Sequence, residues 1–248
     1  MSSFPSHSPI DPFSLPHVWR VQDLAATKAG TPTGSPLLDR MLPGGGWPQG
    51  SMIEVLQERP GQHVWQLLMP ALVSAVEQSA GPVVLVGAPY QPFGPSLKAQ
   101  GLAAERLLCV HSDKPALRLW ATEQALRCGE VAAVLSWLPE ARANDLRRLH
   151  MAAQQQSRLL FVFRGSKARH EASPAPLRVM VEGVDRLDLH ILKRRGPPLS
   201  APLELPAHSP QLAALLKARK AGSAAGSALP SEAAQRRSHV LDRTASLA

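Results

Sequence analysis

Three stretches of nearly uninterrupted apolar sequence, Val83–Val86, Val131–Leu135 and Leu159–Phe163, constrain this 248-residue chain more than any other feature. A strand with one wet face alternates apolar and polar residues, whereas a run without a polar face belongs to a strand covered on both sides. Such strands make up a parallel sheet with helices on each face. Met52–Leu56 and Leu107–Val110 are runs of similar length, while Leu187–Leu192 mostly alternates and reads as an edge or half-exposed strand. Helix candidates fill the gaps. His63–Glu77 sets Val64, Leu67, Leu68, Leu72 and Val76 on one stripe. Pro115–Arg127 opens with Pro at a first-turn position and closes just before Gly129. Ala143–Gln156 carries Leu146, Leu149 and Ala153 among basic and polar residues, as an amphipathic helix does. Strand then helix, repeated at this spacing, predicts an open α/β domain with right-handed crossovers.

Both ends read differently. Residues 1–14 are rich in Ser and Pro and are expected to be flexible, with neither the basic nor the apolar region of a secretory signal. From about Pro197 the chain turns Pro-rich, and residues 201–248 form an Ala/Ser/Arg-rich tail expected to be largely disordered, apart from a short helix over Gln211–Lys220. The folded domain is therefore expected over residues 15–200. The hydrophobic fraction of 44% suffices for a buried core. Lys and Arg number 27 against 19 Asp and Glu, giving a charge of +8 that favours polyanions or acidic protein surfaces as partners. No stretch approaches the roughly 20 apolar residues of a membrane span. Cys109 and Cys128 are too few for a disulfide framework or a zinc site and are expected to be reduced core thiols.

The segment Thr33–Val55 is the most informative local pattern. Ser35 can cap a helix that has Pro36 at its first position. Gly44–Gly46 supply the positive φ of a reversal, and Pro48-Gln49-Gly50 turns the chain into the first strand. The pattern Thr-Gly-Ser-x-x-Leu-Asp-x-x-Leu, followed by Gly-Gly-x-Pro-x-Gly-x-x-x-Glu, resembles the lead-in to the motor core of the RecA recombinase family. The resemblance implies a RecA-like open sheet, mostly parallel and flanked by helices. It also implies a nucleotide-gripping loop directly after the first strand.

What that loop needs is absent. A P-loop reads Gly-x-x-x-x-Gly-Lys-[Ser/Thr], because backbone N–H groups cradle the phosphates, Lys neutralises them and the hydroxyl holds magnesium. Here the loop is about one residue short and runs Gln57, Glu58, Arg59, Pro60, Gly61, Gln62, His63. Gln62 stands at the Lys position and His63 at the hydroxyl position. Pro60 removes an amide donor, and Glu58 repels phosphate. The metal-site acid should end the strand at Ala132–Trp137, which carries Ser136 instead of Asp. Pro89 stands roughly where the water-activating Glu would be. These losses together predict a protein without ATPase activity, bound cofactor or catalytic residue. The histidines show no ligand spacing, so no metal site is expected.

An inactive RecA-like core with Val18-Trp19-Arg20 upstream, Gly44-Gly45-Gly46-Trp47-Pro48 in the turn and Leu192-Lys193-Arg194-Arg195-Gly196 at the last strand is similar to the ImuA family. ImuA proteins are accessory factors of bacterial mutagenic translesion-synthesis cassettes, and some carry a SulA-like cell-division label. The likeness spans roughly residues 15–200. It implies a cytoplasmic adaptor, nucleoid-associated when acting, in the SOS response to DNA damage. Its partners would be an ImuB-type relative of Y-family polymerases, an error-prone C-family DNA polymerase and RecA. The label overlap leaves a cell-division inhibitor acting on a tubulin-like filament as an alternative, and an ATP-dependent DNA-binding protein of RecA type as another. Arg164, Lys167 and Arg169 fall where the resemblance puts a DNA-contacting loop. Lys193, Arg194 and Arg195 form a second basic run for DNA or an acidic partner. The tail adds Lys217, Arg219, Lys220, Arg236, Arg237 and Arg243 against Glu232 and Asp242. Trp47 and Trp65 are candidates for a protein interface. Trp120 and Trp137 read as core.

Overall fold

A computed structural model describes residues 29–183, 186–197, 199, 201–208 and 213–219. The expected flexible start at 1–14, Val18-Trp19-Arg20 and most of the basic tail lie outside the described residues. The chain forms two units that part after Leu205. In the second, residues 213–219 are helical, within the expected span Gln211–Lys220.

The first unit is an eight-stranded sheet with helices on both faces. Its elements run α1 (Pro36–Met41), β1 (Ser51–Gln57), α2 (Val64–Ser79), β2 (Val83–Val86), α3 (Gly94–Ala99), β3 (Leu107–Val110), α4 (Pro115–Arg127), β4 (Ala133–Trp137), α5 (Ala143–Gln156), β5 (Leu159–Gly165), β6 (Leu177–Glu182), β7 (Leu187–Lys193) and β8 (Leu203–Leu205). Strand order is β3-β2-β4-β5-β1-β6-β7-β8. The first six strands in that order are parallel neighbours, and β7 runs antiparallel to both β6 and β8. The wholly apolar runs occupy the interior of this sheet, with every residue of β2 and β4 buried.

Chain direction distributes the helices. The steps from β1 to β2 and from β2 to β3 move one way across the sheet, and those through β4 to β5 move back. With right-handed crossovers, α2 and α3 must then cover one face and α4 and α5 the other. Met52, Val84, Val134, Leu160 and Val162 pack with Leu126 of α4 and with Leu146 and Leu149 of α5. The alternate residues, Ile53, Leu85 and Phe161, are equally buried and face the side covered by α2, whose Leu68 and Leu72 are fully enclosed.

The lead-in folds as its residues dictate. Ser35 Oγ accepts from the Leu38 amide, with Pro36 opening α1. Gly44 and Gly45 take φ of 85° and 72°, and the turn closes by a bridge between Thr31 and Trp47. Three expectations need correcting. Leu177–Glu182, for which the sequence names no element, is a full strand beside β1. The sheet also continues past residue 200 into β8. Finally, Cys128 is exposed rather than a core thiol.

Candidate functional site

The carboxyl ends of β1 to β5 meet at one edge of the sheet, where open α/β folds carry their ligand crevices. A cavity of about 430 Å³ opens there, lined from β1 by Gln57, from the β2 and β3 ends by Gly87 and His111, and from β4 and β5 by Trp137, Phe163 and Arg164. Trp137 is stacked on Phe163 with ring centroids 4.5 Å apart, and both are buried.

The loop after β1 forms one wall. Gln57 is buried and holds the loop from inside: its Nε2 donates to the Gln62 carbonyl at 2.6 Å, and its Oε1 accepts from the Gly61 amide at 3.3 Å. Gly61 has φ of 82°, and a Cβ there would stand 3.1 Å from the Tyr90 ring, so the position requires glycine. Gln62 and His63 do not face an open phosphate cradle. The Gln62 side-chain amide and the His63 ring Nε2, the latter at 2.9 Å, both meet the Gly183 carbonyl beyond β6. His63 itself has a left-handed φ of 54° and caps α2 without a side-chain bond. Glu58, Arg59 and Pro60 are exposed. The buried Ser136 hydroxyl, where the RecA resemblance would expect an acid, is 2.6 Å from that of Thr122 on α4.

Behind this edge lies a buried charge cluster. Glu54 on β1 is fully enclosed, and its two carboxylate oxygens accept from different arginines: Arg164 Nη1 at 3.0 Å and Arg178 Nε at 2.5 Å. Register explains the meeting. Glu54 pairs with Arg178 across β6 and with Val162 across β5, two residues before Arg164 on the same face. Arg178 then donates to the carbonyls of Ala168 (2.7 Å), Glu171 (3.2 Å) and Arg169 (3.4 Å), while Arg164 Nη2 reaches Glu171 at 2.6 Å. Burial alone would lower the pKa of Arg164, but the hydrogen bonds to Glu171 and Glu54 outweigh it and hold the guanidinium above its ordinary value.

The candidate contact residues therefore separate. Arg164 is an internal ion-pair member and is not available to DNA or a partner. Lys167 and Arg169 are exposed, on the short 3-10 turn Ser166–His170 that Arg178 holds. Lys193 donates to the Ser173 carbonyl at 3.0 Å, Arg194 bonds the carbonyls of Met41 and Pro197, and Arg195 is exposed. Trp47 is at 0% exposure, set edge-on against Phe161, and so cannot serve as an interface residue. Trp65 is half-buried. Trp120, expected in the core, is instead 59% exposed on α4. Leu117 on the same helix and Leu108 on β3 are exposed as well, and among the described residues β3 has no further strand beside it. Among the described residues, no three His, Cys, Asp or Glu side chains stand close enough to hold a metal. None of the described helices is long and apolar enough to cross a membrane.

The arrangement defines an α/β domain with a mostly parallel eight-stranded sheet, a carboxyl-edge cavity and exposed apolar side chains on β3 and α4. Residues 50–159 match the family described as Cell division inhibitor SulA. The chain is 35% identical over 102 residues to the Cell division inhibitor SulA of Yersinia pestis (strain Pestoides F), covering 41% of this chain and 60% of that protein. It is 29% identical over 107 residues to that of Edwardsiella piscicida, covering 43% and 64%. The chain thus spans less than two thirds of the length of these relatives. The crystal structure of SulA from Pseudomonas aeruginosa is 28% identical and aligns over 46% of this chain and 98% of that one, with a TM-score of 0.38.

Proposed function

We propose that this chain is a non-enzymatic, protein-binding inhibitor of SulA type, which restrains cell division by docking on a tubulin-like filament. The observation that carries this reading is the open edge of β3, which carries the exposed Leu108, with Leu117 and Trp120 exposed on the helix that follows it. A sheet edge left with apolar neighbours favours pairing with another chain. The opposite edge, β8, is three residues long and flanked by the Arg186–Glu204 ion pair, a common way to blunt an edge. The apolar edge lies inside the segment that matches the SulA family, and the blunted one lies outside it. The substituted loop after β1 supports a role without catalysis. The test is overexpression in a rod-shaped bacterium, with co-sedimentation against the division filament. The wild-type chain should produce long, undivided cells and reduce the pelleted polymer, and Trp120→Ser should restore both. Normal cell length under overexpression, with the polymer unaffected, would refute the reading.

A second reading has its own support. Strands β6, β7 and β8 lie outside the matched segment, yet they complete one sheet around β1. The wider architecture favours a RecA-like core, and with it an ImuA-type adaptor for an ImuB-type polymerase relative, a C-family polymerase and RecA, acting at the nucleoid. The exposed Lys167, Arg169 and Arg195 would then supply weak DNA contacts. Gene deletion separates the two. Loss of damage-induced mutagenesis with unchanged division favours the adaptor, and the reverse favours the division inhibitor.

A further inference from the structure

The two faces of the sheet differ in charge, and the difference is not used by either functional reading. Helices α4 and α5 cover one face. The 3-10 turn Ser166–His170 lies on that same face: Leu56 of β1 clusters with Ala168, and it points to the same side as Met52, which packs with Leu146 and Leu149 of α5. On α4, α5 and this turn, every exposed charged side chain is a cation: Arg127, Arg147, Arg148, Lys167 and Arg169. The acids of these elements are drawn in. Glu123 is buried and shared by Arg127 at 2.7 Å and Arg148 at 3.1 Å, so one negative charge answers two positive ones. Asp145 is half-buried and accepts from the Arg142 amide at 3.0 Å, capping its own helix. Arg147 meets no acid among the described residues, and its Nη1 donates to Asn144 at 3.4 Å. On the opposite face, α2 and α3 expose one acid, Glu77, and one cation, Lys98.

Cations gathered on one face attract a partner of high negative charge density, either an acidic protein or a nucleic acid. The residues between the cations favour the second. A protein interface needs an apolar centre inside its polar rim, and Met151 is the one exposed large hydrophobic side chain on α5 and the turn. Leu117 and Trp120 stand in the first half of α4, ahead of Arg127. Around the arginines the exposed neutral groups are instead amides, Gln124, Asn144, Gln154 and Gln155, which donate to phosphate oxygens. A duplex carries a charge every 1.7 Å or so along its axis, and α5 with its 14 residues is about 21 Å long, enough to lie along several phosphates. We propose that the α4–α5 face, continued by the Ser166–His170 turn, binds the phosphate backbone of duplex nucleic acid without reading its sequence. The proposal rests on neither functional reading.

The test is fluorescence anisotropy of the full chain with a short labelled duplex, repeated over a range of salt concentrations. Contacts from about five cations give log K a slope of roughly −4 to −5 against log salt. Arg147→Gln combined with Arg148→Gln should weaken binding severalfold at low salt and reduce that slope by about 2. Both positions are exposed, and Glu123 keeps Arg127 in the double variant. Lys98→Gln, on the other face, should leave affinity and slope unchanged. Wild-type binding in the double variant would overturn the proposal, because the affinity would then belong to cations elsewhere, those of the tail included. An equal loss in Lys98→Gln would overturn it too, by showing that overall charge acts without a preferred face. Polyglutamate that displaces the labelled duplex better than unlabelled duplex of equal charge would assign the face to an acidic protein instead. Absence of duplex binding at low salt would also refute it. These readouts need no division or mutagenesis assay, so the proposal and the functional readings fail separately.

Discussion

At the scale of single residues, Glu54 ties together two buried arginines. It is the sole acid facing Arg164 Nη1 and Arg178 Nε, all three groups being out of solvent. Removing one partner of a buried ion pair leaves uncompensated charge and costs about 3–5 kcal/mol, far more than the pair contributes over an apolar substitute. Glu54→Gln should therefore lower the urea unfolding free energy by about that much, whereas Glu171→Gln, at a half-exposed carboxylate, should cost about 1 kcal/mol or less. Similar losses in the two variants would show that the cluster is not desolvated as described. His150 makes a second residue-scale prediction. Its Nδ1 accepts from the Met52 amide at 3.2 Å, which requires the neutral ring. Burial, and then the charge of Lys193, lower its pKa below the ordinary 6.5. Below 6.5 the unfolded chain takes up a proton that the folded chain refuses, so this contribution is present above 6.5. It declines as pH falls from there toward the lowered folded-state value. The urea midpoint should drop between pH 7 and pH 5, and His150→Gln should drop less; parallel curves would refute the assignment.

At the scale of elements, the apolar runs were legible because burial on both faces leaves a compositional trace that needs no partner to interpret. Val83–Val86, Leu107–Val110, Pro115–Arg127 and Ala143–Gln156 are found with the ends the residues suggest. β6 was missed because Arg178 interrupts its apolar pattern and makes Leu177–Glu182 look like the tail of a basic loop. Val179, Met180 and Val181 were the available signal. The same masking hid the Glu54 cluster: an acid in an apolar strand calls for a buried cation, yet which arginine meets it depends on register that the sequence does not display. Trp120 was misplaced because an aromatic at helical spacing usually marks the covered stripe, whereas here Leu119 and Ala121 turn inward and Trp120 turns out. The cluster also makes Arg178 the fastener of the 3-10 turn, through carbonyls of three residues. Arg178→Lys keeps a charge for Glu54 but cannot span those acceptors. Amide hydrogen exchange should accelerate over 166–171 in this variant while β2 and β4 stay protected. Uniform acceleration would mean that Arg178 stabilises the whole sheet rather than the turn.

For the molecule as a whole, the question is whether the loop after β1, which the RecA resemblance would make a nucleotide loop, can grip a nucleotide or serves as a structural wall. A loop able to grip would gain function when the missing groups are supplied. The geometry argues for a wall: Gln62 and His63 both engage the Gly183 carbonyl, Gln57 braces the loop from within, and Ser136 is committed to Thr122. Restoring the cation and the hydroxyl with Gln62→Lys and His63→Thr would remove both ties to Gly183, while the strand-end acid and the carboxylate near Pro89 would still be lacking. Transition-state charge on a transferring phosphoryl group is stabilised by those groups acting together, so restoring two of them should recover little. The double variant should release phosphate from ATP no faster than the wild-type chain, in the presence or absence of DNA. Its loop should meanwhile become more susceptible to proteolysis around Gly61. A clear gain in turnover would mean that the catalytic scaffold survives beneath the substitutions, and would move the functional reading from inhibitor or adaptor toward a motor.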